Sequence, residues 1–256
     1  MSALTSRRIK LVIEYSGTRY HGWQVQPQAI TVQGTLEACL SRITNSPIRL
    51  HAAGRTDAGV HALGQVAHAD MTSTIALPAL QRGLNSLLPA DIVVKHAEEV
   101  PSTFHARYSA RHKTYVYIVR NHPMPSAFDM PYTWHVPQAL DLLTMRMASR
   151  VLVGQHDFSA FRAASCNART PVRHLLRLGI RRRAAYLIFF LCADGFLQHM
   201  VRNIVGTLVA IGRGRIPASR MAAILHSRQR QQAGATAPPQ GLFLVRVRYH
   251  TTPQDM

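Results

Sequence analysis

The segment Gly54-Arg55-Thr56-Asp57-Ala58-Gly59-Val60-His61 sets one carboxylate, Asp57, in a glycine-bounded loop two residues after an arginine. The flanking runs 48–53 and 63–70 read as strands, so the loop is a strand connection. Its glycines permit positive φ and close approach of neighbouring backbone. Asp-Ala-Gly alone is an ordinary turn. Asp57 is nevertheless one of only 12 acidic residues set against 30 basic ones. A loop at a strand end is also where many enzymes hold reactive groups. An ionised carboxylate in that place can attack an electrophilic carbon or take a proton.

Other residues of chemical interest are less distinctive by themselves. Tyr115 lies in the strand-like run 114–120 with Tyr117 on the same face, which reads as sheet packing. Leu242 opens a strand-like run, 242–250. Arg202 belongs to the row Gln198, Arg202, Gly206, separate from the apolar stripe Leu197, Met200, Val201, Ile204, Leu208, and periodicity assigns it to a solvated face. The 14 histidines are scattered, with neither H-E-x-x-H nor the H-x-E and P-C-x-x-C pattern of zinc deaminases, so no metal is expected. No G-x-x-x-x-G-K-[ST] loop is present either.

The elements that must position these residues follow one plan twice. A strand at 9–15, a helix at 32–43, strands at 48–53 and 63–70, a helix from Pro78 to Leu88 and a strand at 91–98 make β-α-β-β-α-β. The order recurs with a strand at 114–120, a helix at 138–152, strands at 173–181 and 185–193, helices at 197–212 and 218–226, and a strand at 242–250. The fold expected is α+β, with two similar RRM- or ferredoxin-like halves whose mainly antiparallel sheets flank a basic cleft. The join falls in the aperiodic stretch 99–112, giving a first half 1–106 and a second 107–256. The Gln-, Ala- and Pro-rich stretch 229–240 reads as a loop, because a strand pattern follows it.

Charge bounds the partner. Of 256 residues, 47% are apolar and 16% charged, as in a globular protein, yet the formal charge is +18. All basic residues but Lys10, Lys95 and Lys113 are arginines, whose planar fork suits phosphates and stacks on bases, so nucleic acid is the leading partner and an anionic membrane the rival. The cluster Arg177, Arg181, Arg182, Arg183 is a candidate RNA-facing surface. The N-terminus lacks the pattern of a secretory signal, and the longest apolar run, 184–193, is far short of the roughly 18 residues that span a bilayer. Cys39, Cys166 and Cys192 are widely spaced without C-x-x-C, which fits a reducing cytoplasm.

The loop 54–61, continuing to Gly64-Gln65-Val66, resembles the signature of the TruA family of pseudouridine synthases. Upstream, the runs from Tyr15 to Gln24 and Thr31 to Glu37 are similar to the opening of that family. Downstream, Phe104–Arg107, Lys113–Tyr115, His156–Phe158, Arg169–Arg173, His199–Asn203 and Ala237–Leu242 follow in the family's order. Ala69-Asp70, and the loop after Cys166, depart from its pattern.

The resemblance implies a cofactor-free isomerisation of uridine to pseudouridine at positions 38, 39 and 40, in the anticodon stem-loop of tRNA. Asp57 would be the reacting carboxylate, Arg202 its ion-pair partner, Tyr115 the tyrosine stacked on the uracil, and Leu242 the apolar floor beneath it. Arg55 would fill the space vacated when the base leaves the stack. The resemblance also implies a cytoplasmic homodimer with one tRNA touching both subunits, and neither metal, membrane nor small-molecule cofactor. A non-catalytic tandem RNA-binding module is the main rival, and the RNP1 motif it needs is missing. A synthase with another RNA target is the second.

Overall fold

A computed structural model describes residues 6–249. The chain is α+β and forms two compact units, one running to Arg111 and resuming at Leu244, the other His112–Phe243. The boundary thus falls five residues after the sequence-based one, and the last strand returns the chain to the first unit.

In the first unit the order is β1 (Arg7–Tyr15), α1 (Val32–Thr44), β2 (His51–Ala52), β3 (His61–Met71), α2 (Leu77–Leu87) and β4 (Ile92–Val100). β1 is central, antiparallel to β3 on one side and to β4 on the other, with Leu11 opposite both Ala67 and Ala97. Period-two alternation buries Ile9, Leu11, Ile13 and Tyr15 on one face, in a core shared with Val32, Leu36 and Leu40 of α1 and Leu80 and Leu84 of α2. Full burial of each such aliphatic side chain contributes about 1.5–3 kcal/mol. α1 starts where the Thr31 hydroxyl accepts the Gly34 N–H at 3.2 Å, and stops at Asn45, which takes the left-handed conformation (φ 50°).

The strand expected over 48–53 shrinks to His51 and Ala52, paired with His68 and Ala67. Ile48 and Leu50 are buried all the same, and the Leu50 N–H is satisfied by the Glu37 carboxylate at 2.8 Å. A side chain there replaces the ladder.

The second unit runs β5 (His112–Arg120), β6 (Trp134–His135), α3 (Leu142–Arg150), β7 (Gly154–Asp157), β8 (Val172–Arg183), β9 (Tyr186–Ala193), α4 (Met200–Gly212) and α5 (Arg220–Ser227). It ends at the first residues of β10 (Leu242–Arg248). β5, β9, β8 and β7 are neighbours in that order, all antiparallel, while the short β6 runs parallel to β5. α3 begins four residues later than expected, because Asp141 caps it by accepting the Thr144 N–H at 3.1 Å. The whole predicted stripe Leu197, Met200, Val201, Ile204 and Leu208 is buried. α4 is in fact covered on nearly every side, so it is a central core helix and not a surface one.

Candidate active site

The loop between β2 and β3 has a pinned backbone. The Ala53 N–H donates to Val66 O at 2.7 Å, Gln65 Nε2 donates to Gly54 O at 2.8 Å, and the Trp23 N–H donates to Thr56 O at 3.0 Å. A turn closes as the Val60 N–H donates to Asp57 O at 3.2 Å, with Gly59 at φ +75°. Gly22 makes the close approach possible. It sits at φ +87°, and a Cβ on it would lie 2.6 Å from Thr56 O.

Within this frame the side chains alternate. Arg55 is exposed, Thr56 is buried, and Asp57 is half-buried. The Thr56 hydroxyl meets the Tyr15 phenol at 2.7 Å inside the unit. Burial pushes the Tyr15 phenol up to about 12, chiefly through loss of solvent. The loop is thus a rigid presentation of one carboxylate and one guanidinium, built by residues 15–23 and 65.

Arg202, Tyr115 and Leu242 belong to the second unit. Arg202 is the third residue of α4, directly after the turn at His199, which lies in the left-handed region (φ 63°). Arg202 does not simply face water. Its Nε–H donates to Ala237 O at 2.8 Å, and its own carbonyl accepts the Ala237 N–H at 3.1 Å. One turn on, a Cβ on Gly206 would fall 1.8 Å from Ala235 O, so only glycine admits the loop against the helix. The row Gln198, Arg202, Gly206 therefore includes two residues that meet the 229–240 loop, correcting the solvated-face assignment that periodicity favours. Buried Asn203 completes the grip, accepting from Thr236 Oγ1 at 2.7 Å and Arg230 Nη2 at 3.1 Å.

The gripped segment leads to Leu242. Pro238 O accepts the Tyr117 hydroxyl at 2.7 Å, and a Cβ on Gly241 would strike the Tyr117 ring at 2.7 Å. Leu242 follows, buried at the start of β10. Burial drives the Tyr117 phenol well above the ordinary tyrosine value, with the Arg202 charge pulling the other way. Tyr115, two residues before Tyr117 on β5, is also buried, its ring set edge-on to Phe196 at 5.0 Å.

The structure thus brings Arg55 and Asp57 together in one loop, and joins Arg202 to the segment that ends in Leu242. The residues that hold these parts, Tyr15, Thr56, Gln65, Asn203 and Ala237, had no assigned role in the sequence reading. Their one signal is that each lies in or beside a stretch carrying the family resemblance. Among the described residues no group of three or more His, Cys, Asp or Glu side chains is placed to hold a metal ion, and no helix is long and apolar enough to cross a membrane.

A family model described as tRNA pseudouridine synthase matches residues 11–109 and 148–250. The chain is similar to a tRNA pseudouridine synthase A of Acetivibrio thermocellus, 46% identical over 95% of this chain and 100% of the relative. It is likewise similar to the enzyme of that name from Nitrosomonas eutropha, 48% identical over 94% of this chain and 87% of the relative. A third, from Syntrophotalea carbinolica, is 45% identical over 96% and 97%.

Proposed function

Since the chain belongs to the tRNA pseudouridine synthase family and isomerises uridine to pseudouridine in tRNA, we propose that it acts at positions 38, 39 and 40 of the anticodon stem-loop, with Asp57 as the reacting carboxylate. In this isomerisation the bond between N1 and the sugar C1′ breaks, a bond from C1′ to C5 forms, C5 loses its proton and N1 gains one. No oxidant, metal or co-substrate is needed to balance it.

The observation that carries the reading is the loop 54–60, whose hydrogen-bonded backbone presents a half-buried carboxylate. An ionised Asp57 can attack C1′ or C6, or draw a sugar proton toward a glycal. All three routes need a fixed carboxylate, because a reacting group displaced by about 1 Å loses roughly 100-fold in rate. Arg202 is its ion-pair partner, favouring the charged form and holding both oxygens with a planar fork. Tyr115 stacks on the uracil, with Leu242 beneath it. Arg55, exposed beside Asp57, fills the gap left when the base turns out of the stack. The enzyme works in the cytoplasm as a homodimer, each tRNA touching both copies.

Asp57→Ala tests the assignment. Release of tritium from 5-tritiated uridine in tRNA should vanish, with tRNA affinity and thermal unfolding close to wild type. Substantial release by the folded variant sinks it. A modification map of tRNA from a strain lacking the protein should show uridine retained at positions 38, 39 and 40. Sedimentation should give a mass near twice 28.5 kDa.

A further inference from the structure

We infer that Tyr15 is a positioning residue for the proposed reaction, acting through Thr56 to hold the backbone that carries Asp57; the inference rests on the reading of Asp57 as the reacting carboxylate. Tyr15 ends the central strand of its unit and lies 41 residues from Thr56 in the chain, yet their oxygens are 2.7 Å apart in a buried place. The Tyr15 hydroxyl also engages Gln65, whose amide nitrogen donates to Gly54 O at 2.8 Å. The ring lies 6.0 Å from that of Trp23, whose backbone N–H donates to Thr56 O at 3.0 Å.

Thr56 is therefore held twice, by its side chain and by its carbonyl, from two adjoining core aromatics. Gly54, two residues before it, is held by a third core side chain. These bonds tether the Thr56 side chain and the carbonyls of Gly54 and Thr56 to Tyr15 at the end of β1, to Gln65 on β3 and to the backbone at Trp23. The arrangement separates two jobs. The ring of Tyr15 fills the core, and the hydroxyl anchors the loop. With its pKa pushed up to about 12, the phenol keeps its proton throughout the working range, so the anchor does not switch with pH.

Tyr15→Phe removes the hydroxyl and keeps the ring, and Thr56→Val removes the other partner at equal size. Single-turnover rates in both variants should fall about 10- to 100-fold, the cost of a slightly misplaced reacting group. The tRNA dissociation constant should stay within about twofold, so the loss falls in kcat and equally in kcat/KM. Thr56→Ser, which restores the hydroxyl, should recover most of the rate. Should Tyr15→Phe not fold, the comparison of Thr56→Val with Thr56→Ser carries the same decision. A folded Tyr15→Phe turning over within about twofold of wild type overturns the inference. So do Thr56→Ser behaving as Thr56→Val, and an equal loss of affinity and rate. Asp57→Ala measured alongside separates this from failure of the underlying reading: activity retained there removes Asp57 from the reaction, whatever Tyr15 does.

Discussion

Arg202 shows how far one side chain's surroundings can differ from its place on a helical wheel. Periodicity assigns it to water, whereas in the structure its Nε–H is spent on Ala237 O and its backbone on the Ala237 N–H. That leaves the guanidinium oriented by a fixed point on the loop as well as by its own helix. A lysine keeps the charge but has neither the Nε donor nor the planar fork. Arg202→Lys should therefore lower single-turnover rate by roughly 100-fold, with tRNA affinity little changed. Arg202→Met should be slower still if the proposed pairing holds, because the charge that favours the ionised carboxylate is then gone. Near-wild-type turnover in Arg202→Met would reduce the arginine to a brace for residues 237–242. The sequence puts Asp57 forward as a candidate because acids are scarce and its loop lies in a run that resembles the family; the inward turn of Thr56 was not legible, since nothing local tells which of two adjacent polar residues turns inward.

Among elements, those with a sustained period were legible and the shortest strands were not. β1, α1, β3, α2, β4, β5, α3, β8, β9, α4, α5 and β10 occur where alternation or helical spacing predicts them, within a few residues. β6 and β7 hold two and four residues, too few for a period to register. The aperiodic stretch after β4 is ordered by side chains. Phe104 and His105 set their rings edge-on to His68 of β3, whose ring centroid lies 4.7 Å from that of His105 and 5.1 Å from that of the stacked His51. The Ala106 N–H donates to His68 Nδ1 at 3.2 Å. Protonating that nitrogen would set one N–H against another, beside His51, His105 and Arg8, with Asp70 the only opposing charge among the groups acting on it.

Burial, then these cations, lower the His68 pKa to about 4. The unfolded chain, titrating near 6.5, binds the proton first. Stability from this site is therefore full above pH ~7, drains as pH falls below ~6.5, and stops draining near pH 4; the span corresponds to about 3 kcal/mol. His105, also depressed by burial and by its neighbours, adds in the same direction. Urea midpoints measured from pH 7.5 to 4.5 should show the decline, and His68→Gln should flatten much of it. An unchanged slope in that variant would clear His68 of the effect.

At the scale of the whole molecule the dominant fact is charge, +18 in 256 residues. Ion pairs such as Lys10–Glu98 and Lys95–Glu14 use up few of the cations, and Arg177, Arg181 and Arg183 stand exposed along β8. Phosphates neutralised by such arginines release counterions, so tRNA affinity should fall roughly 100- to 500-fold between about 50 and 200 mM salt, for about five contacts. A filter-binding titration with a flat response would rule out backbone-led recognition. Composition by itself pointed to a polyanionic partner, and the ordered motifs determined the family and put Asp57 forward as the carboxylate proposed to react, because both are properties of residues in line. Only the tertiary structure decided what grips the loop 54–60 and what grips Arg202. Those contacts, Tyr15 to Thr56 across 41 residues and Arg202 to Ala237 across 35, depend on which distant segments meet. A local period reports which way a residue faces, and carries no information about what it will find there.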